Sequence, residues 1–421
     1  MLDIAFIREY PDQVRSGARS KGVEIDINRL LELDTERRRL IKESEELRSR
    51  QNKASEEIAG ESDAAAREER IAAVRGVKES FKRSEIELEK VASELEDLMR
   101  QIPNLPLPDV RIGKSDEENY EIRQVGQIPD FGFPPKDYIT LGEELDLIDT
   151  KRASKVAGAR FGYLKGDAVL LEFALVQYAL SVLVPEGFVP LIPPVLINER
   201  SMRGMGYLER GEDEIFRTER DGYYLVGTSE QAIGPMHADE VFREAELPKR
   251  YVGFSSCFRR EAGSYGKDVR GILRVHQFDK LEMFSFTLPE DSDKEHEDLL
   301  TLQEKLMQGL GLPYRVVGIV SGDLGDPAAR KYDIEAWIPS QGTYRETHST
   351  STTTDWQSRR LNVRVRRDSG ERQYAHMLNG TAFAIGRTII AILENHQKQD
   401  GSIEIPQVLV PYMQGKTDLG R

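Results

Sequence analysis

No proline occurs between Pro11 and Pro103, and that gap constrains the fold more than any other feature of this 421-residue chain. A proline inside a helix removes a hydrogen bond and clashes with the preceding turn, so a stretch this long without one is free to run as continuous helix. Two apolar series cross it at seven-residue intervals. The first is Leu33, Leu40, Leu47 and Ala54; the second is Val74, Phe81, Leu88, Leu95 and Ile102, interleaved with Val77, Val91 and Leu98. That three–four alternation is a coiled-coil seam. The break AGESDAAA at 59–66 divides it, which predicts two antiparallel helices, about 28–59 and 64–102. At 1.5 Å per residue the hairpin would reach roughly 45–58 Å. PNLPLPD at 103–109 stops the second helix and reads as a linker, so the domains expected are 1–105, with the arm, and 106–421.

Charge sets a second bound. The formal net charge is −14, which argues against a nucleic-acid partner, because phosphate contacts need Lys and Arg. Contacts are local, however, and net charge is a sum over the whole surface. The predicted hairpin carries Arg37, Arg38, Arg39, Lys42, Arg48, Arg50 and Lys53 on one helix and Arg67, Arg70, Arg75, Lys78, Lys82, Arg83 and Lys90 on the other. These residues read equally as a solvated face laced with i,i+4 pairs or as an RNA-binding rod. The single cysteine, Cys257, excludes a disulfide framework and a cysteine-based zinc cluster. No apolar run approaches the roughly 18 residues of a membrane span, and the N-terminus lacks a signal-peptide pattern. A reducing cytosol is the expected setting.

After Pro134 the pattern changes. GDAVLLEFALVQYALSVLV (166–184) and AIGRTIIAILENHQKQ (384–399) read as helices, the first amphipathic. FVPLIPPVLI (188–197) reads as a proline-broken strand at an edge or interface. RYVGFSSCFRRE, LEMFSFTL, PYRVVGIVS, YDIEAWIP and LNVRVRR are successive strand candidates. Strands without regular βαβ alternation predict an α+β domain, an antiparallel sheet flanked by helices.

No Walker A sequence, dinucleotide-binding glycine motif or nucleophile elbow is present. A nucleotide would therefore have to be held by arginines and an aromatic platform. The stretch from Cys257 to Glu282 supplies Arg259, Arg270 and Arg274, whose guanidinium groups suit phosphate oxygens and keep their charge when buried. Phe278 either stacks on a base or packs in the core. Glu346 and Ser349 are two oxygen donors suited to a divalent cation shared with phosphates, or they belong to a plain polar strand. Thr228 and Glu230 either hold an ammonium group or cap a helix. Asn379 and Thr381 precede a helix bearing Arg387, which taken alone reads as a surface charge.

Together, TSE (228–230), FRREAGSYGKDVRG through RVHQFDKLE, YDIEAW, TYRET and LNGTAFAIGRT, behind a long helical hairpin, resemble bacterial seryl-tRNA synthetase along essentially the whole chain. The resemblance implies a class II aminoacyl-tRNA synthetase catalytic domain preceded by a tRNA-binding arm, and a cytoplasmic homodimer with Pro194 in its interface motif. It implies activation of L-serine with ATP, then transfer to tRNA-Ser, and to tRNA-Sec where present. Arg259 would hold the α-phosphate; Arg387 and Arg274 the outer phosphates, with Arg345 nearby; Phe278 and Glu261 the adenine; Glu346 and Ser349 a Mg²⁺ ion. Thr228 and Glu230 would receive the serine ammonium, and Glu282, Thr381 and Asn379 its hydroxyl. No zinc is expected. The chain departs from the family pattern after Glu346, where THSTST (347–352) stands in place of ISSCSN. That departure leaves room for a specialised, antibiotic-insensitive copy. A paralogue loading a carrier protein is the other alternative, although such proteins lack the long arm.

Overall fold

The computed structural model describes residues 1–262 and 270–420, apart from the side chains of residues 69 and 73. Part of the loop that carries the family motif, residues 263–269, thus lies outside the described residues. The chain forms two compact units: Leu2–Arg19 with Val23–Pro103, and Met1 with Ser20–Gly22 and Asn104–Arg421.

In the first unit the proline-free stretch is two long helices, α1 (Ile27–Gly60) and α2 (Ala64–Gln101). Each starts on an aspartate. Asp26 accepts from the Arg29 amide, and Asp63 accepts from the amides of Ala65 and Ala66, which satisfies donors that a helix start leaves free. The heptad residues form the seam, but unevenly. Leu30, Leu33, Leu40, Val91 and Leu95 are buried, while Leu47, Ala54, Val74, Phe81 and Leu88 are half-buried. Two helices alone cannot enclose a seam on every side.

The second unit is built on an eight-stranded sheet. Its strands are β1 (Tyr120–Val125), β2 (Phe188–Leu191), β3 (Lys249–Phe258), β4 (Gln277–Thr287), β5 (Tyr314–Gly318), β6 (Arg330–Ile338), β7 (Thr343–Thr352) and β8 (His376–Ala384). They lie in the order β1-β5-β6-β7-β8-β4-β3-β2. Every neighbouring pair is antiparallel except β2 and β3, which run parallel at one edge. The prolines of 188–197 explain that edge: Pro190 cannot donate to a ladder, and Pro193 and Pro194 end the strand before a separate short one at Leu196–Ile197. LNVRVRR contributes Arg364–Arg366 to a small three-stranded sheet instead of the large one.

Three helices position the sheet: α3 (Asp167–Leu183), α4 (Ser292–Gly309) and α5 (Ile385–Asn395). Leu171, Leu175, Leu299, Leu306, Ile389 and Leu393 share one core with Leu281, Met283, Val316 and Ile334 of the strands. α3 is not amphipathic as expected, because Phe173 is 51% exposed on its outer side. PNLPLPD is also more than a linker. Asn104 donates its side-chain amide to the carbonyls of Pro327 and Thr353, and the amides of Asn104 and Leu107 donate to Asp326 and Ala329. These bonds dock the segment along 326–329.

Candidate active site

The hairpin of β3 and β4 is the frame. Its register opposes Gly253 to Glu282, Ser255 to Lys280 and Cys257 to Phe278. Side chains two apart on a strand share a face, so Phe278, Lys280 and Glu282 form one row. On the other side of that row, β8 sets Thr381 opposite Glu282.

Two adjoining clefts open over this row. One, of about 320 Å³, is lined by Arg259, Glu261, Arg274, Phe278, Glu346, Ser349, Thr381 and Arg387, with Lys280 and Lys331. The other, of about 370 Å³, is lined by Thr228, Glu230, Glu282 and Asn379, with Tyr207. Arg259, Lys280, Lys331 and Ser349 border both.

Charge in the first cleft is arranged around Arg259. Its Nε donates to the Gly227 carbonyl at 3.1 Å, and its guanidinium lies 5.3 Å from the Phe278 ring centroid. Arg274 meets Glu261 at 3.4 Å. Arg387, at the start of α5, reaches back to β7, where Nη1 lies 2.9 Å from the Glu346 carbonyl and 3.2 Å from its carboxylate. Crowding by protein atoms pushes the Glu346 carboxyl up, but Arg387, then Lys331 and Arg259, outweigh it and hold the group at about 2. The side chain is still 45% exposed to the cleft. It is therefore ionised at any physiological pH and open to a cation. Ser349 on the same strand adds a neutral oxygen to that cleft. Among the described residues no group of three or more His, Cys, Asp or Glu could hold a metal. One carboxylate and one hydroxyl fit Mg²⁺, which keeps waters and takes most of its remaining ligands from a substrate's phosphates.

The second cleft is acidic and buried. Burial pushes Glu282 up to about 7, against the pull of Lys280, whose Nζ lies 2.6 Å from Oε2. That contact is poorly angled, and Oε2 has no hydrogen-bond partner. A buried carboxylate oxygen with an unused lone pair is costly unless something donates to it. Glu230 is likewise raised by burial, opposed by Lys280, and it accepts from the Tyr207 hydroxyl. Lys280 Nζ also reaches the Thr228 hydroxyl at 3.4 Å.

All of the expected site residues but Arg270 and Arg345 line these clefts. Arg345 lines neither, and its Nη1 donates to Gln341 at 3.2 Å. Sequence reasoning missed Lys280, Lys331 and Tyr207. Lys280 carried a signal, since strand alternation places it on the face of Glu282 two residues on. Tyr207 carried none, because only the fold brings it to Glu230. Phe278 packs on the core on one side and lines the cleft on the other.

Known proteins resemble this chain in sequence and fold. A family model described as the seryl-tRNA synthetase N-terminal domain matches residues 1–106, and one described as the tRNA synthetase class II core domain (G, H, P, S and T) matches residues 214–396. The serine–tRNA ligase of Rubrobacter xylanophilus is 45% identical over 414 residues, covering 98% of both chains. That of Dictyoglomus thermophilum is 48% identical over 417 residues, again 98% of both. Among solved structures, seryl-tRNA synthetase from Pyrococcus horikoshii complexed with ATP superposes with a TM-score of 0.91 at 40% identity, over 100% of this chain and 99% of the other. A prolyl-tRNA synthetase from Giardia lamblia, at a TM-score of 0.58 and 17% identity over 65% of this chain and 55% of the other, shares the fold. With relatives this similar along nearly its full length, the chain belongs to the seryl-tRNA synthetase family of class II aminoacyl-tRNA synthetases.

Proposed function

We propose that the two clefts divide the work of a serine–tRNA ligase, one holding ATP and the other L-serine, with Arg259 between them. The observation that carries this reading is that Arg259 borders both clefts. A guanidinium there can grip the α-phosphate while the serine carboxylate approaches it. The carboxylate oxygen attacks the α-phosphorus, the bond to the bridging oxygen breaks, and pyrophosphate leaves. No enzyme nucleophile takes part; rate comes from positioning and from charge placed where it develops. Arg387 and Arg274 hold the outer phosphates, with Arg345 nearby but outside both clefts. Phe278 stacks on adenine and Glu261 accepts from its amino edge. Glu346 and Ser349 would hold Mg²⁺, which when bound supplies charge neutralisation on the phosphates. No zinc is called for.

Glu230 and Thr228 take the serine ammonium, whose charge draws Glu230 to its ionised form. The Glu282 carboxylate, beside Lys280, accepts from the serine hydroxyl, assisted by Thr381 and Asn379. The seryl group then passes to the terminal ribose of tRNA-Ser, and of tRNA-Sec where one exists. The hairpin α1–α2 is the tRNA-binding arm, residues 1–105 forming its domain and 106–421 the catalytic one. Exposed Val189, Ile192, Leu196 and Met236 around Pro194 support a homodimer interface. No described helix is long and apolar enough to cross a membrane, and the proposed location is the cytosol, where tRNA is charged.

The test is serine-dependent exchange of pyrophosphate into ATP, followed by charging of tRNA-Ser. Deleting residues 28–102 is expected to spare exchange and abolish efficient charging. Exchange that does not depend on serine would overturn the assignment.

A further inference from the structure

The large sheet divides where the two clefts meet. β7 and β8 pair through Thr350 with Gly380, Ser351 with Asn379 and Thr352 with Leu378. The same register would next oppose Ser349 to Thr381, but the ladder ends there. Both strands are irregular at that point: β7 shifts register against β6 between Glu346 and His348, and β8 against β4 between Thr381 and Phe383.

Side chains occupy the fork. Gln303 of α4, fully buried, donates from Nε2 to the Ser349 carbonyl and to the Thr381 carbonyl, 2.8 Å in each case. Its Oε1 has no partner, an arrangement that a space-filling leucine would avoid. Gly380 lies beside it, where a Cβ would crowd Thr350 Oγ1 at 3.1 Å and Met283 Cε at 3.3 Å. One residue along, His348 Nε2 donates to the Ala382 carbonyl at 2.9 Å, and Nδ1 lies 2.8 Å from the Thr347 hydroxyl. A carbonyl can only accept, so the ring carries a proton on Nε2. His348 is also one of the positions where this chain departs from the family pattern after Glu346.

We propose that Gln303 and His348 are positioning residues that hold the Ser349 and Thr381 strands apart and so set the spacing between the triphosphate cleft and the serine-hydroxyl pocket. Neither touches substrate; they act through Ser349, Thr381 and Ala382. The inference rests on the proposed roles of Thr381 and Ser349. Without the wedge the two strands are free to zip by one more pair, which draws Thr381 out of line with Glu282.

The experiment measures pyrophosphate exchange with serine and threonine for Gln303→Met, His348→Phe and His348→Gln in the full chain. His348→Phe keeps a ring to meet Phe383, which now lies 5.8 Å away edge-on, and deletes the donor. His348→Gln can still donate to Ala382. Gln303→Met and His348→Phe should raise KM for serine about tenfold and lower serine-over-threonine discrimination, while KM for ATP moves less than about threefold. His348→Gln should return KM for serine to within about threefold of the unaltered protein. If His348→Phe is insoluble, His348→Asn, polar but too short to reach Ala382, takes its place with the same expectation. Variants that lose thermal stability yet keep both KM values and the discrimination ratio overturn the proposal, as does His348→Gln behaving like His348→Phe. An unaltered protein that shows no serine-dependent exchange instead overturns the assignment of Thr381 beneath it.

Discussion

On the helical hairpin, Arg39 sits between Glu36 and Glu43, 2.7 Å from each, with all three side chains at least 42% exposed. In the catalytic unit, Lys280 lies 2.6 Å from Glu282 with side chains 9% and 1% exposed. The residue types and distances are alike and the consequences differ. Water screens the first group, and such pairs hold a helix face together weakly. The second has lost its water, so Glu282 rises to about 7 by burial despite Lys280 beside it. Charge density along the sequence does not separate these regions. Desolvation does, and it depends on the fold.

The largest expected effect tests the buried side of the comparison. A pocket built to bond a hydroxyl leaves its acceptor unmet when alanine enters, and such sites reject the analogue by about 10⁴-fold or more. Exchange with serine should therefore exceed exchange with alanine by that order in kcat/KM, and Glu282→Ala should remove most of the difference. Equal exchange with the two amino acids in the unaltered protein would end the role assigned to Glu282.

Arg259→Ala comes next. Loss of one preorganised charge at the reacting phosphate should lower the exchange rate about 10²–10³-fold, with little change in melting temperature. A loss of stability without a loss of rate would make Arg259 a structural residue.

Acid offers a third test. All six histidines lie beyond residue 236, none of them in the hairpin. Burial lowers His348 to about 4, below its ordinary value of about 6.5. Between those limits the unfolded chain binds the proton and the folded chain does not, so stability falls as pH drops from about 6.5 to about 4. For this group the loss reaches about 3 kcal/mol. His296, also lowered to about 4 by burial, adds a loss of the same sign. Urea unfolding of the catalytic unit in His348→Phe should show that slope reduced by one proton, while hairpin helicity changes little over the same range.

The hairpin was legible because its signal is periodic and local. Heptad spacing, the break at 59–66 and the absence of proline point the same way, and the observed helices differ from expectation by one residue at each of three ends. Sheet strands were legible as runs, but not their order. Nothing local says that Phe188–Leu191 pairs parallel with residues 250–253, or that Arg364–Arg366 leaves the large sheet. The site was legible where the family motif names its residues. Its supports were not: Gln303 sits on a helix remote in sequence from both carbonyls it bridges, and a buried glutamine has no signature in a polar helix. His348 was visible as a departure from the pattern, but its contact with Ala382 depends on two strand irregularities that sequence does not show.

The smallest effect probes the exposed side, within the proposed tRNA-binding role of the arm. Arg70 of α2 meets Glu57 at 3.1 Å and Glu61 at 3.3 Å, whereas Arg75 is exposed and meets no carboxylate among the described residues. An arginine already neutralised by two carboxylates has little charge to offer a phosphate; an unneutralised one releases about one counterion on contact. Arg75→Ala should therefore lower the slope of log affinity for tRNA-Ser against log salt by about 1, and Arg70→Ala should leave the slope nearly unchanged. Both should melt like the unaltered protein, because exposed pairs contribute about 0–1 kcal/mol. If the two substitutions changed the slope equally, ion pairing on the arm would not determine which arginines meet RNA, and the contrast between screened and desolvated charge would hold for the clefts alone.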